Sequence, residues 1–132
     1  MEASRPTTIE PGFIYIGKGG ADMVVAQRGG KPTIIPKPEN SQFLWHPSVE
    51  LLGRSVLENY EASNIVAVML TGMGYDGSDA FTEIKKRGGR TIAESEASCV
   101  VFGMPAELIS KGGASVVLPA DSITKQVLAW LK

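Results

Sequence analysis

The stretch from Asn64 to Leu70, NIVAVML, restricts the fold of this chain more than any other. It runs through aliphatic residues without the polar alternation of a half-solvated strand. That is the pattern of a strand covered by helices on both faces in a parallel sheet. The same rhythm continues downstream. A glycine-rich turn, LTGMGYDGS at 70–78, leads into a helical pattern from about Ser78 to Arg87, which Gly88 and Gly89 stop. A strand is then expected over Thr91 to Glu94, a helix over Pro105 to Ser110, and a strand over Ser115 to Leu118 after Gly112 and Gly113. The last helix reads as capped by Asp121, with Ile123, Val127, Leu128 and Leu131 on its inner stripe. Strands alternating with helices imply right-handed βαβ crossovers, a parallel α/β sheet, and NIVAVML as its central strand.

Upstream the pattern is different. Residues 1–10 are polar and read as an extended lead-in or frayed tail. Residues 11–37 hold three short β-branched runs, FIYI at 13–16, MVVA at 23–26 and TII at 33–35, separated by GKGG and RGGK. Turn chemistry between such runs predicts a small antiparallel meander. PKPENSQ breaks regular structure before Pro47 opens a helix, with His46 or Ser48 as its cap. On that helix Val49, Leu52, Val56 and Tyr60 recur at spacings of three and four, one apolar stripe for a sheet. Residues 47–132 thus read as a helix followed by βαβ units.

At 132 residues the chain is the size of one domain that can bury a core without disulfides or metals. Thirteen basic against fourteen acidic residues give a net charge of -1, which leaves no surplus to neutralise nucleic acid or anionic lipid. The opening MEASRPTTIE has no apolar signal core, and no aliphatic run is long enough to span a bilayer, so a cytoplasmic protein without membrane insertion is expected. One cysteine and one histidine cannot assemble a zinc cluster, and no metal or cofactor is expected.

Within LTGMGYDGS, Gly72, Gly74 and Gly77 have the spacing of a dinucleotide-binding fingerprint, and Glu94 and Glu96 lie near where a ribose-binding acid would stand. Asp76 opposes that reading. At about 5 Å and an effective dielectric near 20, its charge would repel each phosphate charge by roughly 3 kcal/mol. The fingerprint also belongs on the first strand of a domain, and here a meander and a helix come before it. In a second reading the turn exists to hold out Asp76, because function in open α/β sheets gathers at the carboxyl ends of strands. Flanking glycines give the backbone room to bend, and the next helix N-terminus favours an ionised carboxylate able to orient an imidazole. A third reading makes Asp76 a simple helix cap.

The segments LTGMGYDGSDAF and RGGRTIAESEASCVVFGMP, with the later GG-strand-helix ending, resemble the catalytic domain of the chemotaxis receptor methylesterases of the CheB type. Those proteins share a TGMG-x-DG turn followed by a block that ends in C-V-V-[FY]-GMP. PGFIYIGKGGADM and WHPSVELL resemble two further family segments, so the likeness covers nearly all of residues 11–131. It implies a parallel, doubly wound sheet. It also implies hydrolysis of methyl esters on receptor glutamates, glutamine deamidation, and a Ser, His and Asp triad without a cofactor. By resemblance Asp76 is the triad acid, the backbone N–H of Met73 is an oxyanion donor, and Trp45, His46, Thr71, Gly72, Gly74 and Gly77 line the cleft.

The resemblance also implies a gap. The family's Ser and His belong to a segment that precedes PG-x-[IV]-Y, so these residues alone are expected to be inactive and the domain incomplete. Gly17-Lys18 replace the family's Ala-Pro, Trp45 and His46 replace its His-Arg, and Ala106 replaces the Arg after GMP. A triad rebuilt from His46 and Ser48 is disfavoured, since two residues along a helix point apart. Ser98 and Cys99 read as structural, and the cations Lys85, Lys86, Arg87 and Arg90 as helix-terminal charges or a phosphate or receptor site. Expected partners are methylated chemoreceptor helices, and either the absent part of the domain or a second copy at the open sheet edge. The alternative functions are a non-catalytic binding module on this scaffold and a nucleotide-binding α/β protein.

Overall fold

A computed structural model describes residues 2–131. The packing divides the chain into two compact units, residues 1–60 and 61–132. Among the described residues no helix is long and apolar enough to cross a membrane.

The first unit runs β1 (Glu2–Ala3), β2 (Thr7–Thr8), β3 (Ile16–Gly17), β4 (Asp22–Arg28), β5 (Lys31–Lys37) and α1 (Val49–Asn59). β4 and β5 form a hairpin in which Val24 faces Ile35 and Val25 faces Ile34, all four buried. Its two-residue turn is Gly29-Gly30, both at positive φ, as the right-handed twist of a tight hairpin requires. The third antiparallel strand is β2, not the expected FIYI. Of that run only Ile16 enters a strand, and β3 lies parallel to β1. The polar lead-in is therefore extended but paired: Ile9 N–H donates to Pro32 O at 2.9 Å, and Tyr15 Oη donates to Thr8 O at 3.2 Å. Pro32 and Pro36 have no N–H for a ladder, so the neighbour of β5 on that side pairs only with Thr33 and Ile34.

Ser48, not Pro47, starts α1: its Oγ accepts the Leu51 N–H at 3.2 Å. The expected stripe of Val49, Leu52, Val56 and Tyr60 is only half-buried, while Glu50, Gly53 and Ser55 are the buried positions. The reason is polar. Ser55 Oγ accepts the Val25 N–H at 2.9 Å and Asn59 Nδ2 donates to Val25 O at 2.9 Å, so the helix docks by satisfying the outer edge of β4.

The second unit runs β6 (Val66–Met69), α2 (Ser78–Lys86), β7 (Arg90–Glu94), α3 (Met104–Ser110), β8 (Val116–Leu118) and α4 (Ala120–Trp130). All three strands are parallel, in the order β6-β7-β8, with helices alternating between them. Among the described strands β7 is central, where NIVAVML had been expected. Ile92 and Ala93 are fully buried, while burial alternates along β6. An unbroken apolar run thus says nothing of how many neighbours a strand has. Gly89 is obligatory after α2, since a Cβ there would stand 2.6 Å from Ala62 O. On α4 the expected inner stripe shrinks to Ile123 and half-buried Val127, and Leu128 and Leu131 are exposed. Its N-cap is Pro119, and Asp121 lies in the first turn.

Candidate active site

The turn that leaves β6 is built by glycine geometry. Gly74 has φ +93 and Gly77 φ +89, a region that an L side chain enters only with strain. Between them lie Tyr75, exposed, and Asp76, only 6% exposed. Gly77 is the N-cap of α2, which puts Asp76 one residue outside the cap position. The first-turn acid of that helix is Asp79, whose Oδ1 takes Lys111 Nζ at 2.7 Å; the same ammonium donates to Ser78 Oγ at 2.8 Å. A buried carboxylate thus stands at the carboxyl end of a parallel strand, next to a helix N-terminus.

The second motif, SCVVFGMP, locks onto this turn through backbone. Gly72 N–H donates to Val101 O at 2.9 Å, and Gly72 O accepts the N–H groups of Gly103 at 3.0 Å and Met104 at 2.8 Å. Gly103 lies so close that a Cβ would come 2.7 Å from Gly72 O and 3.0 Å from Gly74 N. Thr71 adds a reciprocal pair: its Oγ1 donates to Val101 O at 3.1 Å and accepts the Val101 N–H at 2.8 Å. The Met73 side chain is exposed, and among the described residues no group accepts a hydrogen bond from its N–H. That leaves one backbone donor at the rim for an incoming oxygen.

Glu94 ends β7 and is 4% exposed. Its Oε1 accepts the Thr71 N–H at 2.8 Å and its Oε2 accepts the Ser98 hydroxyl at 2.7 Å. Bonds from Ser98 and then from Thr71 hold the Glu94 carboxyl below the ordinary carboxylate range. Both Glu94 oxygens are thus engaged by the protein and the Gly72 N–H is given to Val101, which counts against the dinucleotide reading at these two groups. Burial pushes the Cys99 thiol up, with the Glu94 charge adding to it, and its Sγ points at Glu94 O at 3.7 Å. Ser98 and Cys99 are structural. Three of the four downstream cations are likewise engaged: Lys85 with Gly112 O, Arg87 with Glu83, and Arg90 with Trp130 O and the face of its ring.

Trp45 and His46 belong to the first unit. Trp45 is half-buried. His46 Nδ1 lies 3.0 Å from Asp22 Oδ1 and Nε2 3.4 Å from Glu39 Oε2, so both ring nitrogens face carboxylates. Asp22, 1% exposed, also accepts the N–H groups of Asn40 at 2.7 Å and Ser48 at 3.2 Å. Burial by itself would raise this carboxyl, but those donors and His46 outweigh it and hold Asp22 below its ordinary value. Asp22 escaped the sequence reading. Its one signal was an acid immediately before the apolar run MVVA. His46 is a brace between the start of β4, the loop at Glu39 and the cap of α1, and Ser48 serves that cap. Gly17 is close-packed as well, since a Cβ there would meet the Pro47 ring at 3.1 Å.

Comparison with known proteins points to one family. The family model for CheB methylesterase matches residues 1–127. A protein-glutamate methylesterase/protein-glutamine glutaminase of Rhodospirillum rubrum is 50% identical over 131 residues, 99% of this chain and 35% of the relative. One from Rhodopseudomonas palustris is 45% identical over 130 residues, 98% of this chain and 36% of the relative. The chain therefore spans about a third of the length of these relatives. The crystal structure of the Thermotoga maritima CheB methylesterase catalytic domain superposes with a TM-score of 0.89 at 35% identity, covering 97% of this chain and 67% of that one. With its parallel sheet, its flanking helices and both signature turns in place, the chain belongs to the CheB methylesterase family.

Proposed function

We propose that these residues form the part of a cytoplasmic protein-glutamate methylesterase that supplies the triad carboxylate, Asp76, and an oxyanion donor, the Met73 N–H. The Ser nucleophile and the His base come from sequence outside the 132 residues, and the substrate is a methylated glutamate on a chemoreceptor helix. One observation carries the reading: a buried acid on a glycine-built turn at the carboxyl end of a parallel strand, beside a backbone N–H that has no acceptor among the described residues.

Asp76 accepts a hydrogen bond from the Nδ1–H of the imidazole and so fixes the ring with Nε2 toward the Ser hydroxyl. The imidazole takes the hydroxyl proton as oxygen attacks the ester carbonyl, and the resulting oxyanion accepts the Met73 N–H. Methanol leaves with that proton, and water attacks the acyl-enzyme by the same route. Glutamine deamidation differs only in releasing ammonia. No cofactor takes part. Thr71, Gly72, Gly74 and Gly77 shape the turn. The strand edges of β6 and β8, each with one neighbour among the described strands, pair with the preceding part of the domain or with a second copy.

The test supplies the Ser- and His-bearing segment as a separate polypeptide and measures methanol released from methylated receptor. Activity is expected only with both pieces. Asp76→Asn is expected to lower kcat by about 10⁴-fold, with the chain still folded. A wild-type rate in that variant overturns the reading. A second reading, a non-catalytic binding module, draws on Trp45, Gly17-Lys18 and Ala106 at the family's cleft positions. Retention of receptor helices without any turnover in the two-piece mixture would favour it.

A further inference from the structure

The carboxyl ends of all three parallel strands are linked through two side chains, Glu94 and Ser98. Thr71 follows β6, Ser98 follows β7 and Ala120 follows β8. Glu94 Oε1 takes the Thr71 N–H and Oε2 takes the Ser98 hydroxyl; Ser98 Oγ in turn accepts the Ala120 N–H at 2.9 Å. Two donors converge on Glu94 from different loops. A carboxylate can accept both, whereas an amide accepts one and must turn a donor toward the other. Thr71 precedes Met73 by two residues and Asp76 by five. With the Thr71 amide held by Glu94 and its hydroxyl paired with Val101, the turn leaves β6 from a fixed point.

We propose that Glu94 is a positioning residue for catalysis: through the Thr71 amide it sets the turn that presents the Met73 N–H and the Asp76 carboxylate. The inference rests on the methylesterase reading above. Glu94 touches neither substrate nor imidazole, because each of its oxygens is engaged with a neighbouring loop. Its effect falls on kcat, since a misaligned oxyanion donor and acid weaken the transition state without removing substrate contacts.

Two measurements test this. In the 132-residue chain, amide hydrogen exchange read by NMR is expected to show Thr71 and Gly72 losing protection in Glu94→Ala. The Val25 amide of the other unit stays protected. In the two-piece enzyme the same variant is expected to lower kcat by about 100-fold with KM changed by less than about two-fold. Glu94→Gln, which keeps an acceptor for the Thr71 N–H, restores most of both. Ser98→Ala, a milder change, moves the same amides and lowers kcat by a smaller factor, and it serves where Glu94→Ala does not fold. Unchanged protection of Thr71 in both variants overturns the proposal. So does lost protection with a normal kcat, which removes the positioning role alone. A normal kcat in Asp76→Asn instead removes the methylesterase reading beneath it.

Discussion

Each unit ties its segments together through a buried carboxylate, Asp22 in the first and Glu94 in the second, and the two are solved differently. Asp22 stands at the start of β4 and gathers Asn40, Ser48 and an imidazole that can carry charge. Glu94 stands at the end of β7 and gathers a backbone N–H and a hydroxyl, both neutral. Asp22 therefore ties a strand to a helix cap through its own unit's histidine, which removes that ring from any free role. Glu94 ties loops to one another and leaves the rim beside it open. Where a side chain spends its hydrogen bonds separates scaffold from site better than residue type does.

The largest effect should come from cutting the Asp22 knot. Asp22→Ala removes the acceptor of the half-buried Asn40 N–H, the buried Ser48 N–H and His46 Nδ1, and should cost about 3 kcal/mol in urea unfolding. Gly103→Ala probes the other unit through backbone alone. Its Cβ meets Gly72 O and Gly74 N, neither of which can move aside like a side chain, so a loss of about 2 kcal/mol is expected. Acid titration sharpens the contrast further. Asp22 and Glu94 both have folded-state values below the ordinary range, so the unfolded chain binds more protons there. Their stabilisation is present above about pH 4 and lost as pH falls through the folded values. Glu94→Gln should flatten the acid limb of the second unit's melting and leave that of the first. The smallest effect is expected at Leu128→Ser, within about 0.5 kcal/mol, because that side chain is exposed.

What the sequence made legible follows the same division. The parallel unit was readable because its turns are written in glycines whose positive φ the structure requires, at Gly74, Gly77 and Gly88. The family resemblance rested on those same turns, and it holds. The α1 face was misread because hydrophobic period records apolar contact, and this helix meets β4 through Ser55 and Asn59. The first strand of the meander was misplaced because β-branched runs mark strand-forming tendency without naming a partner, and Thr7 and Thr8 took the place beside β5. Glu94 was noticed for the wrong chemistry. Its distance from the glycines suggested a ribose acid, and only coordinates show both oxygens turned inward to Thr71 and Ser98. The position of the Asp76 turn, between a strand and a helix, could be read directly, and its role with an imidazole belongs to the two-piece experiment.

The meeting of Gly72 with Gly103 also limits how this protein can change. The nearest neighbours of a Cβ at Gly103 would be main-chain atoms of the Gly72 turn, and main chain is common to all twenty amino acids, whereas a Cβ at Gly72 would meet the Met104 side chain. No replacement in the Gly72 turn can therefore make room for a bulkier residue at position 103, while a smaller residue at position 104 could make room at position 72. Drift at position 103 has no compensating partner, and variation must be absorbed at positions whose neighbours are side chains.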